Sequence, residues 1–208
     1  MERDEMWAVL DAERASLADL LATLSTDEWA HPSLCVGWTV RDVAAHLTLA
    51  SRITLGTALV EFTRAGGSFN RMVHHTAKRQ ASRPTNELVG LLRAGVGSRR
   101  LAPGQKHKDA LMDVLVHGQD ITVPLGRPRA MPAAAAVTSA DHLWRMGFPF
   151  HTRRRLAGYR LIATDVEWSA GDGAEISGPI DALLPLLAGR TATLPRLTGA
   201  GVAALART

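Results

Sequence analysis

A chain of 208 residues, 46% hydrophobic and 21% charged, has enough apolar material for a sizeable core and too little charge to be disordered. Its net charge of +4 comes from basic residues that are scattered apart from Arg153-Arg154-Arg155 and Lys106/Lys108. That leaves no basic stripe interleaved with aromatics of the kind nucleic acid needs, and the excess reads as a mild attraction for small anions.

Along residues 3–24 the side chains Trp7, Leu10, Leu17, Leu20, Leu21 and Leu24 share one face, with Glu and Arg between them, which predicts an amphipathic helix. Ser25-Thr26-Asp27-Glu28 starts a short turn through Trp29, and Pro32 to Gly37 reads as loop. Thr39 followed by Asp42 is close to a capping box, so a helix is expected to begin there. Val40, Val43, Ala44 and Leu47 form its inner face, His46 sits beside that stripe, and the helix is expected to run on towards Phe62 until Gly66-Gly67 breaks it. Further helices are predicted from about Phe69 to Ala81 and from Pro84 to about Val96.

After the loop from Ser98 to Gln105, a helix from about His107 to Val123 is stopped by Pro124-Leu125-Gly126-Arg127-Pro128. Another runs from Pro132 to about Met146. Beyond His151 the pattern changes to alternation. Tyr159 to Thr164 and Val166-Glu167-Trp168 read as strand, Gly171-Asp172-Gly173 as a turn, and Ala174 to Gly178 as a further strand. Pro179 then opens a helix over Ile180 to Ala188, and a last one spans about Gly199 to Ala206. The fold class expected is α+β, mainly α: a helical domain over residues 1–150 and a small α+β domain over 151–208.

The helix starting near His107 carries the chemistry. Its apolar residues Leu111, Met112, Val114, Leu115 and Val116 leave no wet face, yet Asp113 and His117 lie one turn apart on it. A carboxylate among hydrocarbon side chains is costly unless its charge is answered. A plain ion pair with His117 is the commoner answer for this spacing. A divalent metal is the other, and it requires a third ligand, for which His46 is the natural candidate. Two histidines and one carboxylate suit zinc, iron or nickel.

Other candidates are weaker. Cys35 has no basic residue beside it in sequence to activate it, and Trp38 reads as packing across the helix start. His74-His75, His107, His142 and His151 lack a partner at ligand spacing. The glycines at 171 and 173 lack the strand-turn-helix setting of a phosphate loop, and no Ser/His/Asp pattern presents itself. A single cysteine excludes an internal disulfide and fits a reducing cytoplasm. The acidic start Met1-Glu2-Arg3-Asp4-Glu5 has no signal-peptide pattern, and no apolar run approaches the ~20 residues of a membrane span.

Leu34-Cys35-Val36-Gly37-Trp38-Thr39-Val40-Arg41-Asp42-Val43-Ala44-Ala45-His46-Leu47 resembles the signature of the mycothiol-dependent maleylpyruvate isomerase family of the DinB-like metal-binding superfamily. The likeness continues in Asp113 to Ile121 with Leu125-Gly126-Arg127-Pro128, in Ala163 to Trp168, in Ile176 to Pro179 and in Leu187 to Arg190. The resemblance implies an up-and-down four-helix bundle with a small C-terminal α+β domain. It also implies a divalent metal, usually Zn2+, held by His46, Asp113 and His117. Where the family pattern has glutamate, this chain has the shorter Asp113. An arginine of the C-terminal domain is implied to act on substrate, with Arg153, Arg155 and Arg190 the leading candidates and Arg154 and Arg160 the others.

The function expected from the resemblance is a metal-dependent enzyme that uses a low-molecular-weight thiol, mycothiol or one like it, on a small electrophilic and anionic substrate. Isomerase or S-transferase chemistry would serve. The alternative is a non-catalytic bundle that binds a metal or a small molecule. The partners expected are the thiol and the small substrate, not nucleic acid or a membrane, with a homodimer left open.

Overall fold

The computed structural model describes residues 1–127 and 129–207. Pro128, one of the residues expected to stop the central helix, lies outside the described residues. The chain forms two compact units, Glu2–Arg129 and the residues from Ala130 onwards.

The first unit is helical: α1 (Arg3–Ala22), α2 (Thr26–Ala30), α3 (Val40–Leu49), α4 (Leu55–Arg64), α5 (Phe69–Gln80), α6 (Thr85–Arg93) and α7 (His107–Thr122). Both α1 and α3 pack on α6 and on α7, which makes these four a bundle, and α5 lies against α3. Leu10, Leu17, Leu21, Leu88, Leu111 and Leu115 are fully buried inside it. Burying one such side chain stabilises the fold by about 1.5–3 kcal/mol. The face of α1 is less simple than its leucines predict. Glu13 and Arg14 are buried too, Glu13 accepting from Arg129 and Arg14 donating to the carbonyls of Gly95 and Ser98.

The helix expected to run from Thr39 to Phe62 is interrupted, and this is a correction. It ends at Leu49, and Thr54 begins α4 by accepting a hydrogen bond from the Thr57 amide. A second threonine cap offers the backbone an exit from the first helix that hydrophobic periodicity does not register. Among the residues of α4 only Glu61 is buried, held by Arg64 and Arg79, while Leu55 and Leu59 face outward.

The second unit holds α8 (Ala133–Arg145), α9 (Thr152–Arg155), β1 (Tyr159–Ala163), β2 (Ser169–Gly171), β3 (Ala174–Gly178), α10 (Ile180–Leu187), a short 3-10 turn (Leu194–Arg196) and α11 (Ala200–Leu205). The sequence reading set a domain boundary at residue 150; here α8 belongs with the second unit because it packs on α10 and α9.

The sheet order is β2-β1-β3, with β1 antiparallel to β2 and parallel to β3. The chain must therefore pass from one edge to the other across the start of β1 within Gly171-Asp172-Gly173. A Cβ on Gly173 would stand 2.1 Å from the Gly158 carbonyl oxygen, and one on Gly171 2.3 Å from that of Tyr159. Only glycine fits there. The expected strand Val166-Glu167-Trp168 is instead a bend, and the strand starts at Ser169. Side-chain hydrogen bonds compete with the ladder there: Asp165 accepts from the Ile180 amide and the Trp168 indole donates to Asp141.

Among the described residues the chain is mainly helical with one small sheet, as its alternating and 3.6-residue patterns predict. No helix among the described residues is long and apolar enough to cross a membrane.

Candidate metal centre

α3 begins with the expected capping box. The Asp42 carboxylate accepts from the Thr39 amide at 2.7 Å and from the Thr39 hydroxyl at 2.8 Å, and Lys78 of α5 donates to the same oxygen at 2.7 Å. Burial opposes ionisation of Asp42, but Lys78 and Thr39 outweigh it and hold the carboxyl below its usual range. This cap fixes the first turn of α3, and His46 stands one turn further along.

On α7, Asp113 and His117 project from the same side. Asp113 Oδ1 lies 3.3 Å from His117 Nε2 and 3.6 Å from His46 Nε2. The two imidazoles meet edge to face, with centroids 4.9 Å apart. Three donors from two helices thus converge on one small space, their ligand atoms all within 4.8 Å of one another. Burial disfavours the Asp113 charge, yet His117 and then His46 pull its carboxyl far below the usual carboxylate range. Burial likewise opposes protonation of His117, but Asp113, Asp120 and Cys35 together raise its proton affinity well above that of a free imidazole.

The separations carry chemical information. An N–H···O hydrogen bond spans about 2.7–3.2 Å. Tetrahedral metal bonds of about 2.0–2.2 Å set neighbouring donors about 3.3–3.6 Å apart. Asp113 stands at the second spacing from both histidines, as three donors that could share an ion would. The shorter Asp113 comes this close to both imidazoles. Beside it is a narrow cavity lined mainly by Leu10, Leu47, Leu92 and Val114, with Arg14 as its other polar side chain.

Around the trio is a set of residues that sequence reasoning passed over. His117 Nδ1 lies 2.8 Å from Asp120 Oδ2, and the Cys35 thiol donates to that same oxygen at 3.1 Å. Trp38 packs edge-on against His46, its ring centroid 5.5 Å away, and donates its indole N–H to His74 Nδ1 at 3.0 Å. Trp38 is therefore more than packing, and His74 has a partner that neighbour spacing did not reveal. Asp120 carried a signal: it is an aspartate three residues after His117 on the same predicted helix. Cys35 carried none, because its neighbours lie 82 and 85 residues away.

The arginines expected to meet substrate all belong to the second unit. Arg153 lies over the Trp144 ring, Arg155 donates to the Leu187 carbonyl at 2.6 Å, and Arg190 donates to that of Ala188 at 2.6 Å. Arg155 and Arg190 thus both serve the C-terminal end of α10, where cations are favoured.

A four-helix core presenting two histidines and a carboxylate defines a candidate metal-binding bundle protein. The sequence model of the mycothiol maleylpyruvate isomerase N-terminal domain matches residues 10–111, a span that includes His46 and stops short of Asp113. The crystal structure of the mycothiol-dependent maleylpyruvate isomerase superposes with a TM-score of 0.67 over 97% of this chain and 94% of that one, at 15% identity. That of a histidine-to-alanine mutant of the isomerase does so with the same score and coverage at 14% identity. No curated protein matches in sequence. Residues 10–111 thus resemble the N-terminal domain of the mycothiol-dependent maleylpyruvate isomerases, and the chain shares the fold of that enzyme.

Proposed function

We propose that the chain is a metal-dependent enzyme that uses a low-molecular-weight thiol, mycothiol or one like it, on a small electrophilic substrate. Support comes from the family and above all from one observation, the 3.3 and 3.6 Å spacing of Asp113 from the two histidines. His46, Asp113 and His117 would hold the ion, for which zinc suits the donor set. When bound, it would supply Lewis acidity that keeps a thiol sulfur ionised at neutral pH.

The chain's own contribution is placement. Asp113 and His117 stand on a helix whose other faces are buried, with Leu10, Leu47, Leu92 and Val114 beside Asp113. Arg153, Arg155 or Arg190 would answer a substrate carboxylate. In an isomerase the thiol adds to a cis double bond, allows rotation and leaves; in an S-transferase it stays attached.

The test is metal analysis of protein never exposed to an affinity-column metal, followed by thiol consumption with maleylpyruvate or a chlorinated aromatic. The wild type should carry about one zinc per chain, and His46→Ala and His117→Ala should each lose most of it with little change in the helical signal. Full metal in either variant removes that residue from the ligand set. Metal with no thiol chemistry leaves a binding protein.

A further inference from the structure

Asp120 is a carboxylate with no exposed surface, set in the interior of α7. One of its oxygens, Oδ2, faces two donors at once: His117 Nδ1 at 2.8 Å and the Cys35 thiol at 3.1 Å. The backbone reinforces the arrangement, since the Leu34 amide donates to the Asp120 carbonyl at 3.1 Å and so ties the Cys35 loop to the helix. Cys35, His117 and Asp120 could be taken for a second metal-binding set. The 2.8 Å approach argues against that, because it is a hydrogen-bond length and shorter than the separation of two donors sharing an ion.

We infer that Asp120, supported by the Cys35 thiol, is a positioning residue that fixes which nitrogen of His117 faces Asp113 and His46. The inference rests on the metal-site reading above and adds the part outside the ligand shell. An imidazole that binds a cation has one N–H left to donate. With that N–H on Nδ1 and pointed at Asp120 Oδ2, the lone pair belongs to Nε2, the nitrogen 3.3 Å from Asp113 Oδ1. The opposite tautomer would set the Nδ1 lone pair against a carboxylate oxygen in a buried place, where such repulsion is poorly screened. A carboxylate behind a metal-binding histidine also increases its basicity as a ligand. Cys35 completes the arrangement by donating to the same oxygen, a second tether on the carboxylate.

The experiment uses the full chain and zinc alone. Zinc affinity is measured by competition with a chromophoric chelator for the wild type, Asp120→Asn and Cys35→Ala, with thermal melting of each. The proton spectrum of the zinc-loaded forms is recorded for the His117 Nδ1–H. Asp120→Asn is close to isosteric and should weaken zinc about 10–100-fold, shifting the strongly hydrogen-bonded Nδ1–H resonance upfield. Cys35→Ala should lose less than tenfold and move the same resonance in the same direction.

If the wild type takes up no zinc, the metal-site reading fails. If it does and Asp120→Asn binds equally well, the positioning role fails alone. A fall in melting temperature with the resonance unmoved assigns Asp120 to structure only and also overturns the inference. Should Asp120→Asn not fold, the Cys35→Ala resonance decides: unmoved, it sinks the proposal.

Discussion

Asp113 is one methylene shorter than the glutamate of the family pattern that the sequence resembles, and its surroundings show how the shorter side chain is accommodated. Its Oδ1 already borders both imidazoles, at 3.3 and 3.6 Å, so no longer reach is needed. Asp113→Glu should therefore keep the metal, since the longer side chain carries the same charge and can present its carboxylate to the same two histidines. Asp113→Asn should lower metal content by more than tenfold, because an amide lacks the charge a divalent ion demands. Metal analysis of both variants checks this, and equal loss in the two would mean that the site is fitted to aspartate alone. Beside Asp113, the cavity holds Arg14, whose guanidinium is spent on the Gly95 and Ser98 carbonyls and serves the fold first.

At the level of the element, α3 depends on its cap. Because Asp42 is held below its usual range by Lys78 and Thr39 against the cost of burial, it binds a proton less readily folded than unfolded. Its contribution is thus present above the unfolded value of about 4 and is lost as pH falls through the lower folded value. Asp42→Asn should cost about 1–2 kcal/mol at neutral pH, and the gap to wild type should close on acidification. Melting curves between neutral pH and pH 3 measure it; a constant gap would remove the carboxylate charge from the account.

The start of this helix was legible in the sequence because a capping box is a local signal. So was the approach of Asp113 to His117, which needs only helical spacing. The end of α3 was not, since Thr54 competes with continued helix by a side-chain bond that hydrophobic periodicity ignores. Nor was the start of β2, shifted past Val166 to Trp168 by bonds to Asp141 and Ile180 that come from elsewhere in the chain. Asp120 was only half legible: helical spacing sets it one turn from His117, but its second donor, Cys35, comes from a loop 85 residues earlier.

Over the whole molecule, the second unit sets two of its arginines at one helix end. Arg155 and Arg190 both donate to carbonyls there, and mutual repulsion after burial weakens the hold of Arg155 on its proton. Arg155→Ala strips the last turn of α10 of a donor to two carbonyls, and melting should drop by about 1 kcal/mol. Unchanged melting would show that water satisfies those carbonyls equally well.

In the first unit Asp113, His117 and Asp120 all belong to α7, while His46 and Cys35 reach them from earlier in the chain. Lengthening α7 by a single residue between Asp113 and Asp120 would turn everything beyond it by about 100°, parting the carboxylate from the imidazole it shares a side with. Extra residues in the connection from Ser98 to Gln105 would leave that phase untouched. The two kinds of insertion should therefore have opposite fates: a longer loop tolerated, a longer helix empty of zinc.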